Sequence, residues 1–135
     1  MKLPADHDGS DPLRVLIVDD NRDTAEMICQ LLRKLGCECL ALYHPKAALE
    51  MAPTYQADLL LIDLAMPVVD GYSLVQEWRK ADNLSGAFIV AVSGYCGAEH
   101  RKQAADAGFD EFIAKPFTLA ELKRVVEMAE RRLET

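Results

Sequence analysis

The chain has 135 residues, which is the usual size of one domain. Half of the residues are hydrophobic and 27% are charged, a balance that excludes disordered, collagen-like and coiled-coil proteins. Lys and Arg total 15 against 22 Asp and Glu, and the resulting net charge of −7 disfavours direct binding to nucleic acid. Because no apolar run approaches the roughly 20 residues of a bilayer span and the N-terminus lacks a secretory signal, we expect no membrane insertion.

The polar residues 1–12 predict a flexible N-terminal arm, followed by a single domain over residues 13–135. The four cysteines lack the spacing of a metal site, so we interpret them as buried, reduced thiols of a cytoplasmic protein. They are Cys29, Cys37, Cys39 and Cys96.

After the arm, apolar runs alternate with helical patterns. The run 14–18 is rich in β-branched residues and stops abruptly at Asp19, which is typical of a parallel strand buried on both faces. In 24–35 the apolar residues recur at helical spacing, and Gly36 supplies a stop. The same criteria predict further strands at 37–43, 58–62, 88–92 and 111–114, and helices at 46–52, 72–81, 98–107 and 119–133.

Three local signals refine these elements. Pro53 is expected to end the second helix, and Gly108 to close an alanine-rich, weak fourth helix. Thr118 and Glu121 form a capping box before the last helix. Five strands alternating with five helices predict a doubly wound, flavodoxin-like α/β fold with a parallel sheet in the order 2-1-3-4-5.

Polar side chains follow four of the five predicted strands directly. They are Asp19 and Asp20 after the first strand, Asp63 after the third, Ser93 after the fourth and Lys115 after the fifth. The carboxyl ends of parallel strands share one edge of the sheet, where ligands bind. Neighbouring strands lie about 4.8 Å apart, so these groups should meet in one shallow cleft.

This set of groups favours phosphoryl-transfer chemistry. Carboxylates this close repel one another, and Lys115 supplies one compensating charge while Mg²⁺ is the natural second. The Asp63 carboxylate can then attack a phosphoryl group, whose oxygens the metal and Lys115 neutralise and to which the Ser93 hydroxyl donates.

Four motifs carry these residues: Val-Leu-Ile-Val-Asp19-Asp20-Asn, Asp63-Leu-Ala-Met-Pro67-Val-Val-Asp70-Gly71-Tyr, Val-Ser93-Gly and Phe112-Ile-Ala-Lys115-Pro116-Phe. With them the chain resembles the receiver domain of bacterial-type two-component response regulators, from about Leu13 to Leu133. The resemblance implies that Asp63 is the phosphoacceptor and that the donor is a histidine kinase or a histidine phosphotransfer protein. It also implies that an unknown downstream protein reads the phosphorylated state.

The resemblance further implies a ligand set for Mg²⁺. Asp20 and Asp63 would bind the ion through their side chains, and Ala65 would bind it through its backbone carbonyl. Asp19 would act through water.

The same family pattern assigns the remaining site residues. Lys115 and Ser93 would hold the phosphoryl oxygens, and Ser93 with Phe112 would form a conformational switch. The chain departs from the common pattern, because Ser93 replaces threonine and Phe112 replaces tyrosine. Ala65 and Tyr95 occupy variable positions that border the attacking water, so they bear on the lifetime of the phosphorylated state.

Three other classes fit poorly. A phosphatase of the haloacid-dehalogenase type needs Asp-x-Asp after a strand, but Asn21 and Ala65 stand at the second positions here. A calcium loop starting at Asp19 would need glycine in place of Thr24. A flavin mononucleotide carrier needs a phosphate loop where Asp19 and Asp20 repel phosphate.

A degenerate receiver that serves only as a protein-docking module stays the alternative function. The sequence is compatible both with a stand-alone regulator and with a piece of a hybrid histidine kinase.

Overall fold

A computed structural model describes residues 12–64, 71–80, 87–94 and 97–133. The strands are β1 (Arg14–Val18), β2 (Glu38–Leu42), β3 (Leu59–Asp63), β4 (Phe88–Ser93) and β5 (Glu111–Ala114). The helices are α1 (Arg22–Lys34), α2 (Pro45–Tyr55), α3 (Gly71–Lys80), α4 (Ala98–Ala107) and α5 (Leu119–Leu133). Nearly all of the predicted arm lies outside the described residues, so the boundary between arm and domain stays a prediction.

All five strands are parallel and follow the order β2-β1-β3-β4-β5, which confirms the predicted doubly wound fold. Val18 at the end of β1 is opposite Ile62 of β3, and the next residue, Asp63, is opposite Val92 of β4. Ser93 is in turn opposite Ala114 of β5. This register brings the carboxyl ends of the four strands level with one another.

The sheet separates two apolar layers, because successive side chains of a strand point to opposite faces. One layer packs the sheet against α1 and α5, with members such as Ile17, Leu61, Val90, Ile28 and Leu122. The other packs it against α2, α3 and α4, with members such as Leu16, Leu60, Ile89, Val75 and Ala104. Burial on both faces explains why β1, β3 and β4 are almost continuously apolar in sequence.

The expected stop of the second helix at Pro53 is wrong, because α2 continues to Tyr55. Proline removes the single backbone hydrogen bond that its own N–H would make, and near the end of a helix that loss does not prevent two further helical residues. The helix ends where Gln56 adopts a left-handed conformation with φ of 56°.

The strand and helix ends near the site also differ slightly from the prediction. Asp63 and Ser93 are the last residues of β3 and β4 and not the residues that follow them, since the sheet pairing extends one position further. Helix α1 begins at Arg22, because the side chain of Asn21 accepts a hydrogen bond of 3.1 Å from the Thr24 N–H and caps the helix.

The two predicted terminal signals of α4 and α5 have structural counterparts. Gly108 closes α4 with a left-handed φ of 118°, and the Glu121 N–H donates to Thr118 Oγ1 at 3.2 Å. Within the described parts of the chain, no helix combines the length and the apolar character of a transmembrane span.

Candidate functional site

Buried polar groups collect at the carboxyl edge of the sheet. Among the described residues, the buried polar or charged ones are Asp19, Asp58, Asp63 and Ser93, and all except Asp58 lie at this edge. Asp58 lies at the opposite end of the sheet, where its carboxylate accepts the Arg14 N–H at 2.9 Å. Because polar groups are costly to bury without a purpose, the carboxyl edge is the candidate site.

Three carboxylates meet there. Asp19, Asp20 and Asp63 each offer an oxygen, and these oxygens all lie within 4.8 Å of one another. Burial raises the pKa of Asp19, and the nearby Asp63 charge adds to that effect, while the Asn21 N–H and Lys115 oppose it. The cluster therefore holds more negative charge than its surroundings stabilise, which is the environment of a cation site.

Lys115 is the counter-charge of two of these carboxylates. Its Nζ lies 3.2 Å from Asp63 Oδ2 and 3.6 Å from Asp19 Oδ2. The backbone fixes its position, because the Lys115 N–H donates to the Ser93 carbonyl at 2.8 Å and ties the end of β5 to the end of β4. The structure thus brings together the lysine and the central aspartate that the sequence placed at one edge.

Asp19 and Asp20 have different surroundings although they are neighbours. Asp19 is 3% exposed, and its Oδ1 accepts the Asn21 N–H at 2.9 Å while Oδ2 faces Lys115. Both of its oxygens are therefore engaged by the protein. Asp20 is exposed, so its carboxylate has access to solvent and to an incoming ion.

Ser93 and Phe112 lie on the same face of the sheet. Phe112 is opposite Ala91 in the β4–β5 register, and Ser93 follows Ala91 by two positions, so the three side chains share one face. Ser93 is 2% exposed and Phe112 is 6% exposed, with the ring in the layer that packs against α4. The guanidinium of Arg101 on α4 lies 4.8 Å from the centroid of the Phe112 ring.

An apolar groove borders the site on the side of α1 and α5. Its lining residues are Thr24, Met27, Leu31, Lys115, Pro116, Phe117, Thr118 and Leu119. Met27 and Leu119 are large apolar side chains that are more than half exposed, at 55% and 52%. Lys115 belongs to both the groove and the acidic cluster, so anything seated in the groove lies beside Asp63.

Some predicted site residues lie outside the described part of the chain. Ala65 and Tyr95 are among them, so the metal-binding role of the Ala65 carbonyl and the effect of Tyr95 stay predictions. The sequence did not predict the Arg101 contact with Phe112 or the exposed pair Met27 and Leu119. A charged residue on an alanine-rich helix and two separated apolar residues give no periodic signal that singles them out.

Comparison with known proteins identifies the family. The model of the response regulator receiver domain matches residues 15–127. PrrA of Mycobacterium bovis, a transcriptional regulatory protein, is 35% identical over 119 residues, and the alignment covers 88% of this chain and 50% of PrrA. The sensor protein GacS of Pseudomonas syringae is 31% identical over 116 residues, covering 84% of this chain and 13% of GacS. The chain thus spans about half of the regulator and a small part of the sensor protein.

A solved structure supports the same assignment. The receiver domain of sensor histidine kinase PA1611 from Pseudomonas aeruginosa PAO1, with a magnesium ion coordinated in its active-site cleft, superposes with a TM-score of 0.80. It is 30% identical, and the match covers 92% of this chain and 99% of that one. The chain belongs to the response regulator receiver domain family, as its motifs predicted. Receiver domains are phosphoacceptors in two-component signalling and partner with histidine kinases or phosphotransfer proteins.

Proposed function

We propose that this chain takes a phosphoryl group from a phosphohistidine onto Asp63 and thereby switches a protein-interaction surface. The observation that carries this proposal is the Lys115 ammonium 3.2 Å from a buried Asp63 carboxylate, within a cluster of three aspartates. A docking-only module would have no use for a buried group of like charges, which costs stability.

The transfer requires little chemistry from the protein beyond positioning. An Asp63 carboxylate oxygen attacks the phosphorus, an O–P bond forms, and the N–P bond to the donor imidazole breaks. The imidazole nitrogen leaves with the bonding electrons and takes a proton from solvent. Lys115 neutralises a phosphoryl oxygen and the Ser93 hydroxyl donates to another. The chain acts on itself in this step, so we class it as a signalling phosphoacceptor and not as an enzyme with a separate substrate.

The residues at the site fit Mg²⁺, because carboxylate oxygens are its preferred protein ligands and one lysine offsets one of three charges. Asp20 and Asp63 would hold the ion directly together with the Ala65 carbonyl. Asp19 would act through water, which agrees with the engagement of both of its oxygens by Asn21 and Lys115. When bound, the ion supplies positive charge for the phosphoryl oxygens. The magnesium-containing PA1611 receiver supports this assignment by similarity.

The groove beside Lys115 is the place where we expect the phosphohistidine-bearing protein to dock. A donor imidazole must come within bonding distance of Asp63, and Lys115 links that residue to the groove. The exposed Met27 and Leu119 offer apolar contact area to a partner helix. The donor is thus a histidine kinase or a histidine phosphotransfer protein, and we place the exchange in the cytoplasm.

The output surface is proposed to lie at the edge strand β5 and the two helices beside it, α4 and α5. A phosphoryl group adds roughly −1.5 to −2 charge and three acceptor oxygens. Ser93 moves to donate to one of them, and Phe112, on the same face, repacks beside α4. The altered surface of α4, β5 and α5 is read by a downstream protein and not by nucleic acid, since the chain carries a net charge of −7.

The test is phosphorylation by a small donor, acetyl phosphate, with Mg²⁺, followed by intact mass. The wild-type chain should gain the mass of one phosphoryl group, and Asp63→Asn, which keeps the shape but removes the charged nucleophile, should gain none. Asp58→Asn is the matched control, because Asp58 is also a buried carboxylate but lies at the opposite end of the sheet. An unmodified wild-type chain, or an Asp63→Asn chain modified at the wild-type rate, would contradict the proposal and favour a docking module or another acceptor.

A further inference from the structure

A cluster of polar contacts, separate from the acidic site, fixes the carboxyl end of α4. The guanidinium of Arg79, on α3, donates to the Gly108 carbonyl at 2.8 and 3.0 Å. It also donates to the Ala87 carbonyl before β4 at 3.0 Å and pairs with Asp110 at 2.6 Å. One planar side chain thus ties α3 to the start of β4 and to the turn between α4 and β5.

Asp110 holds the same turn to the sheet and to α5. Its Oδ2 accepts the Ile89 N–H at 2.9 Å, and its own N–H donates to the Ile89 carbonyl at 2.7 Å. Its Oδ1 lies 3.1 Å from the Arg132 guanidinium of α5. The side chains of Arg79 and Asp110 are 21% and 22% exposed, so their pair is better shielded from water than a surface ion pair. We call Arg79 and Asp110 the turn anchor.

The amino half of α4 has the opposite character. Residues 97–103 are all exposed, and the buried residues of the helix, Ala104 and Ala107, lie in its carboxyl half. Gly97, at the N-cap position, makes no side-chain capping hydrogen bond. A helix end that buries so little surface loses little when it moves. Because the Arg101 guanidinium of this half lies over the Phe112 ring, repacking of the ring acts on this half first.

From this asymmetry we infer that α4 pivots about its anchored carboxyl end when Asp63 is phosphorylated. The inference deepens the proposed function and rests on it. The amino half swings, whereas the turn anchor holds Gly108 in place, since breaking the anchor would leave shielded charged and polar groups without partners. Arg79 is thus a positioning residue that confines the movement to the amino half.

The pivot narrows the output surface to one part of α4. The residues whose position depends on phosphorylation are the exposed residues 98–103, and the turn after the helix is the same in both states. A downstream protein that distinguishes the two states therefore has to contact the amino half of α4.

The experiment adds beryllofluoride and Mg²⁺ to the full chain and follows each backbone amide by nuclear magnetic resonance. In the wild type, the shift changes over 98–103 should be at least about twofold larger than those over 107–110, because one end of the helix changes its packing and the other keeps it. Shift changes of equal size in the two ranges would overturn the inference. This profile needs only the wild-type chain, so it decides the question even where a variant fails to fold.

Arg79→Lys tests the role of the anchor itself. It keeps the charge but removes the planar fork, so the Gly108 and Ala87 carbonyls lose their hydrogen bonds. The shift changes over 107–110 should then rise to the level of 98–103, while those next to Asp63 persist. Arg124→Lys is the matched control, because Arg124 also pairs with a carboxylate at the start of β5, that of Glu111 at 3.1 Å.

The control should keep the wild-type profile of shift changes. A merely structural Arg79 would give a variant with a lower melting temperature and an unchanged profile, and that result would overturn its positioning role.

Failure of the pivot and failure of the proposed function give different results. A chain that acetyl phosphate does not modify, and whose amides next to Asp63 do not respond to beryllofluoride, would refute the proposed function and the pivot with it. A chain that accepts the phosphoryl group but shifts α4 evenly along its length would refute the pivot alone.

Discussion

Lys115 shows how one side chain decides the electrostatics of the site. It lies within 3.6 Å of Asp19 and 3.2 Å of Asp63, and 31% of its side chain is exposed. Ion pairs at this depth fall between surface pairs, which contribute little, and buried pairs, which are costly to break. The net effect of Lys115 on stability therefore depends on whether another cation is present.

We expect Lys115→Gln to destabilise the metal-free protein by about 1–3 kcal/mol, because the carboxylates lose their counter-charge. Saturating Mg²⁺ should restore part of this loss, so the melting temperature of the variant should rise more on metal addition than that of the wild type. Thermal unfolding with and without Mg²⁺ measures both effects. Lys102→Gln is the control, since its pair with Asp106 is largely exposed. If Mg²⁺ raised the melting temperatures of the wild type and of Lys115→Gln equally, Lys115 would not be the residue that balances the charge of the acidic cluster.

The two adjacent aspartates should differ as metal ligands. We expect Asp20→Ala to weaken Mg²⁺ affinity by roughly tenfold or more. Loss of even an outer partner of a metal site typically weakens metal binding by at least about tenfold, and a direct ligand should matter no less. Asp19→Ala should have a smaller effect, because the Asn21 N–H and Lys115 already engage both Asp19 oxygens. A Mg²⁺ titration followed by intrinsic fluorescence or calorimetry compares them. Equal losses of affinity would refute the assignment of Asp20 as the direct ligand.

At the scale of elements, α4 contributes only two small side chains to the buried layers. It is alanine-rich, its burial in the described region rests on Ala104 and Ala107, and it is attached to the sheet by the Arg101 contact with Phe112. Contacts of a cation with an aromatic ring contribute about 0.5–2 kcal/mol. A helix that buries so little apolar surface is expected to shift readily when the ring beneath it repacks.

We therefore expect a phosphoryl mimic, beryllofluoride with Mg²⁺, to move amide resonances across residues 97–120. The added charge draws Ser93 towards the acceptor oxygens, and the Phe112 ring and Arg101 respond on the same face. Arg101→Gln should reduce the shifts in α4 while leaving those next to Asp63 intact. Shifts confined to the loops around Asp63 in the wild type would exclude this coupling.

The elements also show which structural features could be predicted from the sequence and which could not. Strand ends near the site were predictable to within a residue, because Asp63, Ser93 and Lys115 interrupt apolar runs abruptly. The site could be assembled from these ends once the parallel topology was inferred. The extension of α2 past Pro53 was not predictable, since it depends on the left-handed conformation of Gln56. The Arg101 stacking was equally hidden, because it depends on how α4 is placed over β5.

At the scale of the whole molecule, the proposed docking groove and the proposed Phe112 switch lie in different layers of the fold. The groove beside Lys115 lies on the side of α1 and α5, whereas Phe112 belongs to the layer under α4. The acidic cluster lies at the edge between these two layers. We therefore expect a donor protein at the groove and a downstream protein at α4 and β5 to use different sides of the same chain.

This separation predicts that donor docking can be lost without loss of chemistry. Met27→Glu should strongly reduce phosphotransfer from a histidine kinase chosen for its ability to phosphorylate the wild-type chain, because a charge replaces the exposed apolar contact. The rate with acetyl phosphate should stay unchanged, since a small donor needs no docking surface. Met51→Glu, on the exposed part of α2, is the matched control. Equal loss with both donors would place the defect in the site itself.

The register of the sheet has a consequence for folding. Each of four strands, β1, β3, β4 and β5, brings its own polar group to the carboxyl edge, and β1 and β3 are neighbours in space but far apart in the chain. No local segment can therefore assemble the cleft before these distant strands pair, a step that is slow because it closes long loops. Ions or groups that bind the finished cleft but not the unfolded chain stabilise the native state by mass action. If Mg²⁺ and the phosphoryl group bind as proposed, we expect the resistance of this chain to proteolysis to rise with their supply.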